Sequence, residues 1–328
     1  MDPSILVVGG AGYIGSHMVL QLREAGLDVA VLDDFSTGYR DALPGTELFE
    51  AGLGDSAALD RVLGTGRFGC VMHFASFIQV GESVGQPAKY YGNNVANTVA
   101  LLNAMARHGV KDFVFSSSAA VYGEPERVPI PEDHPTRPVN PYGRTKLMVE
   151  QMLPDYERAY GLRWAALRYF NAAGADPACR AGERHEPETH LIPLALRACS
   201  GRLAKLTVFG EDWPTPDGTC VRDYVHVADL ADAHLLAVRH LEGGGQSRAF
   251  NLGNGGGFSV RQVIDAAQRA SGRTLPCEFA ARRAGDPAVL VADAAAARSL
   301  LGWKPRFDAL DTIVGHAWAW ERRMAGLA

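Results

Sequence analysis

Residues 5–33 read ILVVGGAGYIGSHMVLQLREAGLDVAVLD, and this stretch decides the fold. Its apolar start, Ile5–Val8, predicts a strand that runs into the glycine cluster Gly9–Gly15, and a segment of helical period follows. A second apolar strand, Asp28–Leu32, then leads to Asp33. A strand, a glycine turn, a helix and a strand in this order predict a βαβ unit with parallel, buried strands.

The glycines of this turn have the spacing of a dinucleotide-binding loop. Gly9 permits a tight turn, Gly12 lets the backbone approach a pyrophosphate, and Gly15 allows the helix to pack closely on the strand. The helix N-terminus would then direct free N–H groups at the phosphates. Asp33 can bind the adenosine ribose diol and would repel a 2′-phosphate. Because Asp34 follows and no arginine lies directly beside the pair, the sequence predicts NAD rather than NADP.

Apolar strands and helical segments alternate through the rest of the first half, which predicts an α/β fold with a doubly wound parallel sheet, a Rossmann fold. After residue 175 proline and glycine become more frequent, with predicted loops at 176–189 and 210–219. We therefore expect an NAD-binding domain at 1–175, to which some later segments return, and a smaller C-terminal substrate-binding lobe mainly at 176–328. The further predicted strands are 70–74, 112–115 and 163–169, and the predicted helices are 15–25, 57–63, 94–108, 142–159, 192–200, 227–240 and 259–270.

Composition excludes several classes of protein. The 328 residues are 47% hydrophobic and 21% charged, and the net charge of -5 gives no reason to expect a nucleic-acid partner. No apolar run approaches the ~18 residues that span a bilayer, and Met1–Ser4 lacks the basic start of a signal peptide. The five cysteines include no Cys-x-x-Cys pair, which favours free thiols in a reducing compartment. We expect a cytoplasmic protein with neither nucleic-acid nor membrane partners.

The stretch NPYGRTK, which begins at Asn140, predicts a helix that carries a catalytic pair. Asn140 suits the N-cap, and Tyr142 and Lys146 are four residues apart, so they lie on one face of the helix. A cation beneath a phenol lowers the phenol pKa from ~10, as would a positive nicotinamide ring, so Tyr142 is a candidate general base for a hydroxyl group. Ser118, at the end of a predicted strand, can hydrogen-bond the same substrate oxygen. The pattern predicts hydride transfer at a carbon that bears a hydroxyl.

These motifs, with others along nearly the whole chain, resemble the extended short-chain dehydrogenase/reductase family and, within it, the nucleotide-sugar 4-epimerases. The glycine loop and Tyr-x-x-x-Lys are common to the superfamily, whereas RYFNAAGA at 168–175 and DGTCVRDYVHV at 217–227 are much more specific. The other matching stretches are VLDDFSTG (31–38), HFA (73–75), VGESV (80–84), YYGNNV (90–95), FSSSAAVYG (115–123), RRAGD (282–286) and LGWKP (301–305).

The resemblance implies an isomerase that keeps NAD bound and interconverts UDP-glucose and UDP-galactose through a 4-keto sugar. It implies a homodimer formed through the helices 94–108 and 142–159, and it assigns catalysis to Ser118, Tyr142 and Lys146. It implies cofactor contacts at Gly9, Gly12, Tyr13, Ile14, Gly15, Asp33, Asp34, Phe35, Ser36, Thr37, Gly38, Leu53, Phe74, Ala75, Asn93, Ser118, Tyr142, Lys146 and Phe170. It implies UDP-sugar contacts at Ser118, Tyr142, Asn171, His190, Leu191, Thr207, Val208, Phe209, Arg222, Arg283, Asp286 and Leu290.

Some positions depart from the relatives' pattern and leave the exact substrate open. Ala119 and Ala120 stand where related 4,6-dehydratases carry an Asp-Glu pair, so the chain lacks the acid and base for elimination. Gly52 and Ile78 replace a usual Asp and Lys, which bears on how tightly NAD is held. Leu290 is intermediate between the aromatic residue that excludes a 2-N-acetyl group and the small residue that admits it. UDP-N-acetylhexosamine, UDP-pentoses (xylose/arabinose), and oxidoreductase or decarboxylase chemistry on a nucleotide sugar remain open, whereas a non-catalytic NAD-binding regulator is disfavoured.

Histidines and carboxylates also gather in the predicted loop at 176–189 and just after it. His185 and His190 alternate with Glu183, Glu186 and Glu188. This spacing matches no standard metal-binding motif. The sequence therefore predicts no metal site.

Overall fold

The computed structural model describes residues 4–283 and 286–327. Met1–Pro3, used above to argue against a signal peptide, and two residues of the RRAGD stretch lie outside these ranges. The described strands are β1 (Ser4–Val8), β2 (Val29–Asp33), β3 (Glu47–Glu50), β4 (Phe68–His73), β5 (Asp112–Ser118), β6 (Arg163–Tyr169), β7 (Asn171–Ala173), β8 (Leu206–Phe209), β9 (Val221–Arg222), β10 (Tyr224–His226), β11 (Arg248–Leu252), β12 (Phe258–Ser259), β13 (Cys277–Ala280) and β14 (Val289–Leu290).

Helices cover the sheet and build most of the second lobe. The described α-helices are α1 (Tyr13–Glu24), α2 (Ser56–Leu63), α3 (Val80–Gly85), α4 (Pro87–Tyr90), α5 (Asn97–His108), α6 (Pro141–Tyr160), α7 (Leu191–Ser200), α8 (Val227–Glu242), α9 (Val260–Ser271), α10 (Ala295–Leu300) and α11 (Leu310–Met324). Two short 3₁₀ turns span Arg40–Ala42 and Ala119–Val121, and a π-helix spans Tyr91–Ala96. None of the described helices has the length and apolar character needed to cross a membrane.

The central sheet confirms the predicted doubly wound fold. Within the described residues it has seven parallel strands in the order β11-β6-β5-β4-β1-β2-β3. The strand order reverses between β1 and β4, and ligands of such sheets bind beyond the carboxyl ends of the strands at that reversal. The glycine loop follows β1, so it lies at this point.

The alternation of side chains along β1 explains why both faces of the sheet are buried. Ile5 and Val7 belong to an apolar cluster with α1 and α8, whereas Leu6 and Val8 belong to a second cluster with α2, α5 and α6. Successive strand residues point to opposite faces, so the four consecutive apolar residues of β1 contribute to both clusters. A third cluster, from α7, α9, α11 and β8, forms the core of the second lobe.

Two strands of the sheet were not predicted. The edge strand β3 has the sequence ELFE and no fully buried residue, so it lacks the apolar pattern of its neighbours. The strand β11 comes from residues 248–252, far beyond the alternating first half, and pairs with β6. The helix predicted at 94–108 also differs, because the chain forms a π-helix up to Ala96 before α5 begins at Asn97.

Candidate active site

The glycine loop forms a cradle between β1 and α1. Gly9 has a positive φ of 79°, and a Cβ there would lie 2.4 Å from Ala75 N; a Cβ on Gly15 would lie 2.2 Å from Gly9 O. A side chain at either position would therefore force the backbone apart. At Gly12, the N-cap of α1, no described side chain caps the helix, and a Cβ would find only Gly9 O, at 3.5 Å. The first amides of α1 therefore have no side-chain cap from the described residues and remain available to a pyrophosphate.

Asp33 ends β2 and braces this loop. Its Oδ2 accepts a hydrogen bond of 2.8 Å from the Ala11 amide, and its Oδ1 accepts one of 2.8 Å from the Phe35 amide. Burial raises the pKa of the Asp33 carboxyl, and the two amide donors oppose that rise. Each carboxylate oxygen can accept a second hydrogen bond, so the group can still receive ribose hydroxyls.

The other predicted cofactor residues lie at the same carboxyl edge of the sheet, and their side chains differ in burial. Gly38 packs on the loop, since a Cβ there would lie 2.6 Å from the Ala11 Cβ, while Leu53 is buried in the apolar core and exposes almost no side chain. Asn93, in the π-helix, donates to Asn94 Oδ1 over 3.0 Å. Of the remaining predicted residues, Asp34, Ser36 and Thr37 are exposed after β2, Tyr13 and Ile14 begin α1, and Phe74 and Phe170 follow β4 and β6.

Ser118 and Tyr142 meet at the carboxyl end of β5. Burial raises the pKa of the Tyr142 phenol above its usual value, and the neighbouring Ser118 side chain opposes that rise. The start of α6 is capped by Asn140, whose Oδ1 accepts the Gly143 amide over 2.8 Å. This helix start packs against the turn that follows Ser118: a Cβ on Gly143 would lie 2.4 Å from Ala120 O, so only glycine permits this close approach. The sequence did not indicate this role for Gly143.

Lys146 lies one turn further along α6 and is buried. Its Nζ donates to Ser76 Oγ over 2.9 Å and to the Ser116 carbonyl over 2.8 Å, and it lies 5.8 Å from the centre of the Tyr142 ring. Burial lowers the pKa of Lys146 to about 7, although the Glu150 carboxylate opposes that shift. The described residues raise the pKa of Tyr142, so the prediction that Lys146 lowers it is wrong. Desolvation dominates, and the ammonium group is directed at Ser76 and Ser116 instead of the phenol oxygen.

A buried ion pair lies near this site, and the sequence did not predict it. Arg168 Nη2 lies 2.5 Å from Glu150 Oε2, and both side chains are less than a tenth exposed. Ser117 Oγ donates to Glu150 Oε1 over 2.5 Å, and Arg168 Nη1 donates to Tyr122 Oη over 2.9 Å. The network joins β5, β6 and α6 directly beneath Ser118, so it fixes the elements that carry the catalytic group. Arginine and glutamate are usually exposed, and their sequence positions gave no sign of burial.

Asn171, Arg222 and Leu290 are brought together by short strands of the second lobe. The Asn171 amide and Nδ2 both donate to the Asp223 carbonyl, over 3.0 and 3.1 Å, and the Asp223 amide donates to Leu290 O over 3.0 Å. Leu290 also pairs with Arg222 across β14 and β9. Its side chain packs in the small apolar cluster of Ala119 and its neighbours, so it lies beside the turn that follows Ser118.

A second group of predicted substrate residues lies near Cys220. Burial raises the pKa of the Cys220 thiol. The charges of Arg222 and Arg283 lower this pKa and the charge of Asp286 raises it, so these three side chains lie near the thiol. Arg283 Nε donates to Asp286 Oδ2 over 2.9 Å, and its guanidinium lies 5.0 Å from the centre of the Phe209 ring. Thr207 and Val208 do not share these contacts: Thr207 Oγ1 donates to Glu278 over 3.1 Å, and Val208 is buried in the lobe core.

His190 immediately precedes Leu191, the first residue of α7, and joins a cluster that the sequence did not predict. Its Nδ1 lies 2.9 Å from Oε1 of both Glu183 and Glu188, and His185 Nδ1 lies 3.0 Å from Glu183 Oε1. Burial alone would lower the pKa of His190, but the two carboxylates raise it to about 10. The loop thus gathers two imidazoles and two carboxylates that are separated along the chain.

The fold and the site together define a dinucleotide-dependent enzyme with a Ser-Tyr-Lys group at the carboxyl edge of its sheet. Residues 5–253 match the profile of the NAD dependent epimerase/dehydratase family. The chain belongs to this family, as the motifs had indicated.

Individual relatives match almost the whole chain. A UDP-glucose 4-epimerase of Halalkalibacterium halodurans is 51% identical over 97% of this chain and 96% of its own length. A UDP-glucose 4-epimerase of Azospirillum brasilense is 53% identical over 98% of this chain and 93% of its own. The crystal structure of UDP-glucose 4-epimerase from Brucella ovis in complex with NAD is 50% identical, covers 97% of this chain and 98% of its own, and superimposes with a TM-score of 0.95.

Proposed function

We propose that this chain is an NAD-dependent 4-epimerase, an isomerase that interconverts UDP-glucose and UDP-galactose through a 4-keto sugar. The observation that carries the proposal is that the relatives named UDP-glucose 4-epimerase match 97–98% of the chain at 51–53% identity. The local chemistry supports it, because Ser118 and Tyr142 lie near one another at the sheet edge. Ala119 and Ala120, next to this serine, offer neither the acid nor the base of a dehydratase.

The residues present fit NAD as the cofactor. The uncapped amides at the start of α1 suit the pyrophosphate, and Asp33 suits the ribose diol. Bound NAD would supply reversible hydride transfer at the sugar C4 and, in its oxidised form, a positive charge.

The proton at the sugar O4 is moved by Tyr142. Burial raises the pKa of the phenol, which favours the protonated form that donates to the 4-keto oxygen. Positive charge nearby would favour the phenolate that removes the proton. Ser118 Oγ holds O4, and Lys146 fixes the base of the site through Ser76 and Ser116. We assign the diphosphate to Arg222 and Arg283, since guanidinium groups bind phosphates by charge-assisted hydrogen bonds.

The same proposal extends to the organisation of the chain. Residues 1–175, with α8 and β11, form the NAD-binding domain, and most of 176–328 forms the UDP-sugar lobe. Met148 and Tyr160 on α6 are exposed large side chains, which supports a homodimer through α5 and α6. We further propose that the enzyme is cytoplasmic.

The test is to incubate purified protein separately with UDP-galactose, UDP-N-acetylgalactosamine and UDP-arabinose, with and without added NAD, and to separate the products by chromatography. We expect C4 interconversion without net NADH, fastest for UDP-galactose. If activity depends on added NAD, the chain binds NAD weakly, as the replacement of the usual Asp and Lys by Gly52 and Ile78 would allow. Net NADH formation, or no C4 epimer from a folded protein that binds NAD, would overturn the proposal.

The second candidate function, epimerisation of UDP-N-acetylhexosamines, is favoured by the intermediate size of Leu290. This residue lies in the apolar cluster beside Ser118, where a larger side chain would reduce the room for a 2-substituent. We expect Leu290→Tyr to lower kcat/KM for UDP-N-acetylglucosamine about tenfold more than for UDP-glucose, as steric discrimination in a pocket allows. The volume-conserving Leu290→Met should leave the ratio of the two kcat/KM values unchanged. Equal losses on both sugars would contradict this steric role.

A further inference from the structure

We propose that Glu183, His185, Glu188 and His190 bind one divalent metal ion of the zinc type, at a site separate from the catalytic group. We call these four residues the His-Glu cluster. The spacing of these residues matches no standard motif, so the sequence predicts no metal here. The proposal rests on the folded loop, and it assigns to the metal the His190 side chain that the resemblance assigns to the UDP-sugar.

The geometry brings one ligand atom from each residue into a small volume. The four atoms all lie within 4.8 Å of one another. The closest pairs, between imidazole Nδ1 and carboxylate oxygens, are 2.9–3.0 Å apart, and His185 Nδ1 lies 3.8 Å from Glu188 Oε2. Tetrahedral zinc, with bonds of about 2.0–2.2 Å to nitrogen and oxygen, needs ligand atoms about 3.4 Å apart, which lies between the shortest and the longest of these separations. Binding would therefore open the closest pairs by about half an ångström and draw the widest pairs together by about 1 Å.

One carboxylate oxygen in the cluster is left without a hydrogen-bond partner. Glu188 Oε1 accepts the amides of Thr189 and His190, over 2.7 and 2.9 Å. Glu188 Oε2 is buried and has no hydrogen-bond partner among the described residues, and the side chain is only 1% exposed. Buried carboxylate oxygens without partners are costly. Amides that hold one oxygen and leave the other for a cation are the arrangement found around metal ligands.

The donor set and its charge also suit a divalent ion. Two neutral imidazoles and two carboxylates carry two negative charges, which a single M²⁺ neutralises. Imidazole nitrogen favours zinc and the neighbouring transition metals over magnesium and calcium. Four protein ligands without an open position are typical of a structural site. His190, which is 40% exposed at its side chain, leaves an entry path.

The backbone around the cluster is held in place by three parts of the fold. Arg197 in α7 donates to the His185 carbonyl over 3.1 Å, and Trp320 in α11 donates to the Glu183 carbonyl over 3.1 Å. The Tyr13 ring of the glycine loop meets the His185 ring edge-on at 6.2 Å. A bound ion would therefore connect the second lobe to the cofactor loop, and its expected effect is on stability.

The alternative is that hydrogen bonds between imidazolium and carboxylate groups hold the cluster without any ion. Untagged holoenzyme, with its bound cofactor retained, distinguishes the two. The protein is treated with a chelator, dialysed, and titrated with Co²⁺ and Zn²⁺. Metal content, visible Co²⁺ absorption and thermal midpoint are then measured for wild type, Glu188→Gln, His185→Gln and Glu186→Gln. Glu186→Gln is the matched control, since Glu186 lies in the same loop but pairs with Arg197 outside the cluster.

We expect wild type and Glu186→Gln to bind one Co²⁺ per chain with a four-coordinate nitrogen–oxygen spectrum, and Zn²⁺ to raise their thermal midpoints. Glu188→Gln and His185→Gln should bind about tenfold or more weakly and lose the spectrum; Glu188→Gln keeps the size of its side chain, which protects the test against misfolding. An adventitious ion only, seen as substoichiometric binding or as equal binding by all four proteins, would overturn the proposal. A thiolate spectrum would do so as well, since it would place the ion on cysteine.

Discussion

Replacing Tyr142 with phenylalanine is expected to lower kcat for UDP-galactose by ~10²–10⁴-fold, the usual contribution of a positioned acid–base group. The substitution removes the phenol oxygen, which lies near the Ser118 side chain, and keeps the buried ring. UDP affinity should therefore be unchanged when measured by calorimetry. The loss should appear in kcat and leave substrate binding intact.

The matched control is Tyr156→Phe on the same helix. Tyr156 donates to Asn103 Oδ1 over 2.7 Å at the exposed surface of α6, far from the sheet edge. We expect its kcat to stay within about twofold of wild type, as for other surface changes. If folded Tyr142→Phe protein has near-normal activity, the proton at O4 is moved by another group.

The largest effect on stability is expected for Arg168→Met. This change leaves the Glu150 carboxylate buried without its cation, and removing one member of a buried ion pair costs about 3–5 kcal/mol of the free energy of unfolding. Chemical denaturation of the cofactor-loaded protein measures that free energy. The exposed pair of Arg107 and Asp60 supplies the control. Arg107→Met should leave the free energy of unfolding close to the wild-type value, because exposed ion pairs contribute little.

A small loss for Arg168→Met would mean that Glu150 takes up a proton or water in the variant. The pH dependence of the free energy of unfolding distinguishes the uptake of a proton from the uptake of water. If the carboxyl is protonated in the folded variant, the free energy of unfolding of the variant falls as the pH rises above ~4.3, the carboxyl pKa of the unfolded chain. A stability loss near zero at every pH would contradict the view that the pair holds β5, β6 and α6 together.

Features encoded by neighbouring residues could be predicted from the sequence. The glycine loop and Asp33 belong to one βαβ unit, and Tyr142 and Lys146 are one helical turn apart, so their proximity follows from local geometry. The reversal of strand order then follows from the fold class. In each case the chain needs only a turn or a helix to bring the residues together.

Features that depend on distant contacts could not be predicted. The strand β11 pairs with β6 across more than eighty positions of the chain, and Arg168 reaches Glu150 from another element. The backbone of the loop that carries the His-Glu cluster is held by Arg197 and Trp320, which come from later helices. The Tyr142 pKa was mispredicted for a related reason. A cation one turn away was apparent from the sequence, but the degree of burial depends on the whole fold.

The late return of β11 to the sheet has a consequence for how the enzyme can open. The chain leaves the sheet after β6, returns through α8 and β11, leaves again for α9, and comes back at α10, which packs against β11. Domains that swing on a single linker need large dihedral changes at only a few residues. Here several crossings would have to bend in concert, so a wide clam-shell opening is disfavoured. Substrate entry and rotation of the keto sugar would then depend on movements of loops and side chains around the carboxyl edge of the sheet.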